Sequence, residues 1–154
     1  MKRFFFTLAI IAVATISAIA QNKLTKEYKF GKITSIEASS VYDIEVTQGN
    51  SGTVKVVYDE FFKDRLMVNY INGKLNLEVA STKMRNNNRN IEGIKVYLQM
   101  PTIENLDLSG ASSLKAMGSF KTDELDVELS GASSISGLVI SGNDLSLDCS
   151  GAST

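Results

Sequence analysis

Three carboxylates, Asp107, Glu128 and Asp148, recur 21 and 20 residues apart, each three positions before a glycine (Gly110, Gly131, Gly151). Side chains repeated at a fixed period can stack in a column when the chain returns to the same place once per period. At the strand spacing of ~4.8 Å, neighbouring like charges in water would repel by roughly 0.9 kcal/mol. Three outcomes are open to such a column. The acids can splay apart on a wet face, or a hard cation such as Ca²⁺ can bridge them, since it takes oxygen ligands. They could also act as the paired acids of a glycosidase or lyase. The solvated ladder is the simplest reading, because nothing isolates one acid with a raised pKa. Lys115 and Lys121 are the bases that would keep a catalytic reading open. Asp107, Glu128 and Asp148 are therefore the candidate ligand-binding residues, with no catalytic residue, metal or cofactor assigned.

The elements that would carry them are short strands. Each acid lies in an alternating run, Leu106-Asp107-Leu108, Val127-Glu128-Leu129 and Leu147-Asp148-Cys149, followed by Ser-Gly-Ala-Ser. The flanking residues form inward columns, Leu106, Val127 and Leu147 in one and Leu108, Leu129 and Cys149 in the other. Cys149 thus stands where a leucine would and is expected to be an inert buried thiol. Glycine suits a corner of positive φ or close backbone approach, the following alanine (Ala111, Ala132, Ala152) a narrow space behind it, and the serines can bond exposed corner backbone.

The rest of the chain also alternates. Tyr42/Ile44/Val46, Val54/Val56/Tyr58, Leu75/Leu77/Val79 and Ile94/Val96/Leu98 each stand between polar neighbours, the pattern of half-buried strands. Turn residues separate them at 48–52, Asn72-Gly73 and 142–144. The one helical candidate, Glu60 to Met67, is short and without a convincing cap. Residues 81–93, with four asparagines and three basic residues, read as a solvated loop. The fold class expected is all-β, a right-handed parallel β-helix-like solenoid with coils of about 20 residues.

Composition narrows the function. There is no histidine, which removes Ser-His-Asp and Cys-His catalysis and the commonest zinc ligand. A single cysteine excludes an intrachain disulfide. Lys2 and Arg3, the uncharged run Phe4–Ile19 and Ala18-Ile19-Ala20 read as a secretory signal peptide cleaved after Ala20, with no membrane span afterwards. Cleavage leaves 134 residues. Lys plus Arg falls from 16 to 14 against 17 acids, moving net charge from -1 to -3. A mildly acidic protein does not suit a nucleic-acid partner. The organisation expected is a signal peptide at 1–20, an N-terminal β portion at 21–100 and the repeat coils at 101–154.

The run Pro101-Thr102-Ile103-Glu104-Asn105-Leu106-Asp107-Leu108-Ser109-Gly110-Ala111-Ser112 resembles the hallmark of the bacterial head GIN domain family, and the other two Ser-Gly-Ala-Ser copies match its repeat. Val41 to Gly49 is similar to its first strand and turn. The resemblance covers the chain from about Phe30 onward. It implies a β-helix-like protein outside the cytoplasm, in the periplasm or on the outer surface of a Gram-negative-type bacterium. It transfers no catalytic residue. Family members run on past the third copy, whereas this sequence stops at Thr154 just after a corner, so a truncated product is expected, or a final coil covered by another subunit. The function expected is a non-enzymatic adhesin-like or surface binding module for a glycan or cell-surface protein; a polysaccharide-acting enzyme and a purely structural envelope protein are the alternatives.

Overall fold

The computed structural model describes residues 23–80 and 92–154. The signal peptide at 1–20 and residues 81–91 of the asparagine-rich loop lie outside the described residues. The described residues form fourteen strands: β1 (Lys23–Lys29), β2 (Ser35–Ser40), β3 (Tyr42–Gln48), β4 (Thr53–Asp59), β5 (Leu66–Ile71), β6 (Lys74–Val79), β7 (Ile94–Met100), β8 (Asn105–Gly110), β9 (Ser113–Met117), β10 (Ser119–Lys121), β11 (Glu124–Leu129), β12 (Ser134–Ser136), β13 (Val139–Ser141) and β14 (Asp144–Cys149). The helix candidate shrinks to one 3₁₀ turn, Glu60–Phe62. It does have a cap: the Asp59 carboxylate accepts from the Phe61 N–H at 2.8 Å.

The all-β expectation holds, but the parallel solenoid does not. The strands form two mixed sheets of six, ordered β1-β4-β7-β3-β9-β12 and β14-β11-β8-β2-β6-β5, with a small parallel pair β10-β13. The 20-residue period governs only the last three corners. Upstream, β1 pairs antiparallel with β4, β4 with β7, and β5 with β6. The cause is local for β5 and β6. Asn72 and Gly73 both have positive φ, 50° and 86°, the geometry of a tight hairpin turn, so Ile71 opposes Lys74 and the chain reverses within its sheet. Nor is stacking sequential: β8 sits between β11 and β2, whose residues are 70 positions away, as in Glu37 opposite Asp107.

One apolar core draws on both sheets, with Ile36, Leu75, Leu77, Leu106 and Leu108 from one and Ile44, Val46 and Val96 from the other fully enclosed. The Tyr42 hydroxyl on β3 ties the two together by donating to the Glu78 carbonyl on β6 at 2.8 Å. Burial pushes its phenol far above the ordinary value, with Glu78 and Tyr28 adding to the effect, so it stays a donor throughout the physiological range.

The corners explain the tetrapeptide. Gly110, Gly131 and Gly151 have φ of 77°, 72° and 74°. A Cβ at Gly131 would lie 2.6 Å from the Gly110 carbonyl oxygen, and one at Gly151 2.6 Å from that of Gly131. Each closing serine donates back to the opening one: Ser112 to the Ser109 carbonyl at 3.0 Å, Ser133 to Ser130 at 2.7 Å. Successive corners are linked by the alanine N–H, Ala132 to Gly110 O and Ala152 to Gly131 O, both at 2.8 Å. The close approach expected at the glycine is present, but the alanine side chains are exposed, so the narrow space expected behind the glycine is not there.

Ser40 occupies a fourth corner. It pairs with Gly110, accepts the Ala111 N–H at 2.7 Å, and has a φ of 112° despite its side chain. Ser40→Gly is expected to raise stability by about 1 kcal/mol, relief of left-handed strain outweighing the added freedom of the unfolded chain. Chemical denaturation checks this; a lower midpoint would show that Ser40 is at ease there.

Candidate functional site

Cross-strand register places the three predicted acids in one row: Asp107 on β8 opposes Glu128 on β11, which opposes Asp148 on β14. The row has a fourth carboxylate, Glu37 on β2, opposite Asp107, and continues to Asn76 on β6 and Asn69 on β5. Sequence reasoning missed Glu37, although Ile36-Glu37-Ala38-Ser39-Ser40 carries the same alternation and corner as Leu106-Asp107-Leu108-Ser109-Gly110. The missing glycine and the 70-residue separation hid it.

The electrostatics vary along the row. Lys74 pairs with Glu37 at 2.5 Å. Burial, then the charge of Glu37, holds the Asp107 carboxyl above its ordinary value, while Lys74 pulls the other way. The Asn76 Oδ1 is buried without a hydrogen-bond partner among the described residues. The acids stand one per strand in a line, and no group of three metal-ligating side chains converges among the described residues. Lys121 borders a groove of about 630 Å³ with Glu104, Asp123, Glu124 and Asp126, but Lys115 lies on β9 in the other sheet, away from the acid row.

Asp107→Asn tests the row. Because the folded pKa is raised, the protonated form is the favoured one, and the associated stability is lost as pH rises through the folded value. Asn mimics that form, so the variant is expected to melt about 1–3 °C above the parent at pH 7, with the gain vanishing as pH falls below the ordinary carboxylate pKa of about 4. Melting curves across pH 3–8 would show it; a gain that persists at pH 3 would exclude a charge effect.

The inward columns hold for two copies and open at the third. Leu106 and Leu108 are 0% exposed and Val127 and Leu129 3%, whereas Leu147 is 61% exposed. Cys149 is exposed, not buried as expected. Its side chain follows the inward alternation, but β14 and β12 are the last strands of their sheets. Leu145, Leu147 and Cys149 therefore border an open apolar cavity of about 300 Å³ with Ile135 and Ile140.

The two outer faces differ in charge. Strands of the acid-row sheet carry eight acidic residues and one lysine, Lys74. Those of the other sheet carry six lysines and four acids, of which Lys26, in register with the buried Val56, lies off the outer face. Fold and surface together define an all-β domain of two mixed sheets around one core, joined by stacked serine-glycine corners, with one strongly acidic outer face and one of mixed charge.

The family model described as "Putative auto-transporter adhesin, head GIN domain" matches residues 32–154. The chain belongs to the head GIN domain family. Among solved structures it resembles a "putative adhesin" from Bacteroides fragilis NCTC 9343 (TM-score 0.66, 20% identity, covering 85% of this chain and 61% of that one). A "putative adhesin" from Parabacteroides merdae ATCC 43184 gives 0.59 and 16%, covering 80% and 53%. A "putative lipid binding protein" from Parabacteroides distasonis ATCC 8503 gives 0.58 and 20%, covering 84% and 60%. At these identities the likeness is one of fold, and the chain spans only about half to three fifths of each relative's length. No curated protein matches the chain.

Proposed function

We propose that the chain is an exported, non-enzymatic, adhesin-like module that binds a glycan or protein at a cell surface through its flat sheet faces. The family match over residues 32–154 carries the reading, since that family is described by its adhesin character. Two features support it. The sequence contains no histidine, which leaves the familiar nucleophile-activating triads without their base. The charged side chains are spread along the strands of both sheets, an arrangement suited to contacting an extended partner. Export rests on the basic start, apolar run and small-residue site ahead of Gln21.

Two measurements test the proposal. Intact mass of the protein recovered outside the cytoplasm is expected to give a mature N-terminus at Gln21; only full-length protein in the inner membrane would reject cleavage. Labelled purified protein is expected to bind bacterial or host-cell surfaces saturably, with no turnover in a lyase and hydrolase screen. Turnover of a polysaccharide would replace the adhesin reading by an enzymatic one, and neither binding nor turnover would leave a structural envelope role.

A further inference from the structure

We propose that the outer face of the β1-β4-β7-β3-β9-β12 sheet binds an acidic polysaccharide, with Tyr97 as the stacking surface and Lys55, Lys95 and Lys115 as the cationic contacts. The inference rests on the surface-binding reading and names its face and ligand class. Tyr97, near the middle of β7, is 36% exposed. Register sets it between Lys55 on β4 and Glu45 on β3, and Glu45 in turn opposes Lys115 on β9. Lys95, two residues earlier on β7, projects from the same face.

The acids and bases of this face stand at different heights. Lys55, Lys95 and Lys115 are exposed, whereas the four acids of these strands, Glu27 (opposite Lys55), Asp43, Glu45 and Asp59, are half-buried. Asp43 is further engaged, accepting the Ser113 hydroxyl at 3.0 Å. None of the three lysines forms an ion pair among the described residues. The outermost charges on these strands around Tyr97 are therefore three ammonium groups, with the exposed Glu92 just ahead of β7 paired to Lys23, on a chain whose net charge is -1. Three strand spacings separate the strand of Lys55 from that of Lys115, roughly 14 Å, which suits an extended polymer better than a small ion.

Charge complementarity selects the partner. The acid-row face repels polyanions, so an anionic chain is directed to the lysine face. A tyrosine offers an apolar body with a polar tip, able to cover the C–H side of a sugar ring while its hydroxyl meets water or a sugar hydroxyl. Ammonium groups on flexible stems pair with carboxylates at several spacings. A carboxylated glycan offers both complements on one polymer.

The test uses the purified protein and immobilised alginate, a polyuronate, as the probe. Binding is expected to weaken at least tenfold between 50 and 300 mM salt, and at least tenfold when the polymer's carboxyls are chemically reduced. Lys55→Gln and Lys115→Gln should each weaken it three- to tenfold and flatten the salt dependence. Tyr97→Ala should weaken it roughly fivefold at unchanged salt dependence. Lys63→Gln, which removes the same charge outside the sheets, should match the parent. All four substitutions are at exposed positions, and circular dichroism confirms the fold of each variant. Equal binding of the carboxyl-reduced polymer, unchanged binding by the face variants, or equally tight binding of duplex DNA would overturn the proposal. If the protein still binds cell surfaces while alginate binding is absent, this face assignment fails alone; if both are absent, the surface-binding reading falls with it.

Discussion

Gly131→Val is expected to destabilise the protein by about 3 kcal/mol or more, lowering the melting temperature by roughly 10 °C. Two costs combine. The residue sits at φ 72°, a conformation that L-residues adopt rarely and β-branched ones least of all. The Cβ would also stand 2.6 Å from the carbonyl oxygen of Gly110 and 3.2 Å from its nitrogen. Both contacts are to backbone, which moves only if the neighbouring corner moves, and that corner is held by the Ala132 N–H to Gly110 O bond. The nearby Glu128→Gln, on an exposed position of the preceding strand β11, should cost less than about 0.5 kcal/mol. Thermal unfolding of the two variants beside the parent checks the contrast. A Gly131→Val protein melting with the parent would mean that the corners are not stacked as described.

Leu106→Ala is expected to cost about 3 kcal/mol, whereas Leu147→Ala, the same column two copies later, should cost under about 0.5 kcal/mol. Leu106 is 0% exposed, and truncating it leaves a cavity that neighbours on both sheets close only in part. Leu147 is 61% exposed, so most of its surface is already in water and little burial is lost. Denaturant midpoints at constant slope measure both. Equal costs would show that Leu147 is covered in solution, and with it the apolar cavity at that end of the core.

The pair also shows what the sequence makes legible. Alternation tells which way a side chain points, and it placed Leu106, Val127 and Leu147 on one side correctly. It does not tell whether anything lies on top, which is why Cys149 reads as buried and is exposed. In the same way, period-two alternation is identical for parallel and antiparallel strands. The repeats announce their parallel stacking through identical corners, and the acid row follows from them. β1, β4 and β5 carry no such marker, so extending the period upstream predicts a parallel coil where the structure has antiparallel strands. Only Asn72-Gly73 signalled a hairpin, and read as a mere separator it did not reveal the reversal. Glu37 stayed hidden because Ser40, and not a glycine, turns its corner. The lysine face has no local signature either: Lys55, Lys95 and Lys115 come from three strands that only the folded register brings side by side.

The alanine bonds between corners run one way, each alanine N–H reaching back to the corner stacked beneath it. A unit of about 20 residues thus presents, on its far side, the same acceptors that it used on its near side. Duplicating or deleting a whole unit in the gene would change the molecule's height by one strand spacing, ~4.8 Å, and would leave the chemistry of every remaining junction unaltered. Height is then a property that evolution can adjust in fixed steps, independently of the residues that each face displays.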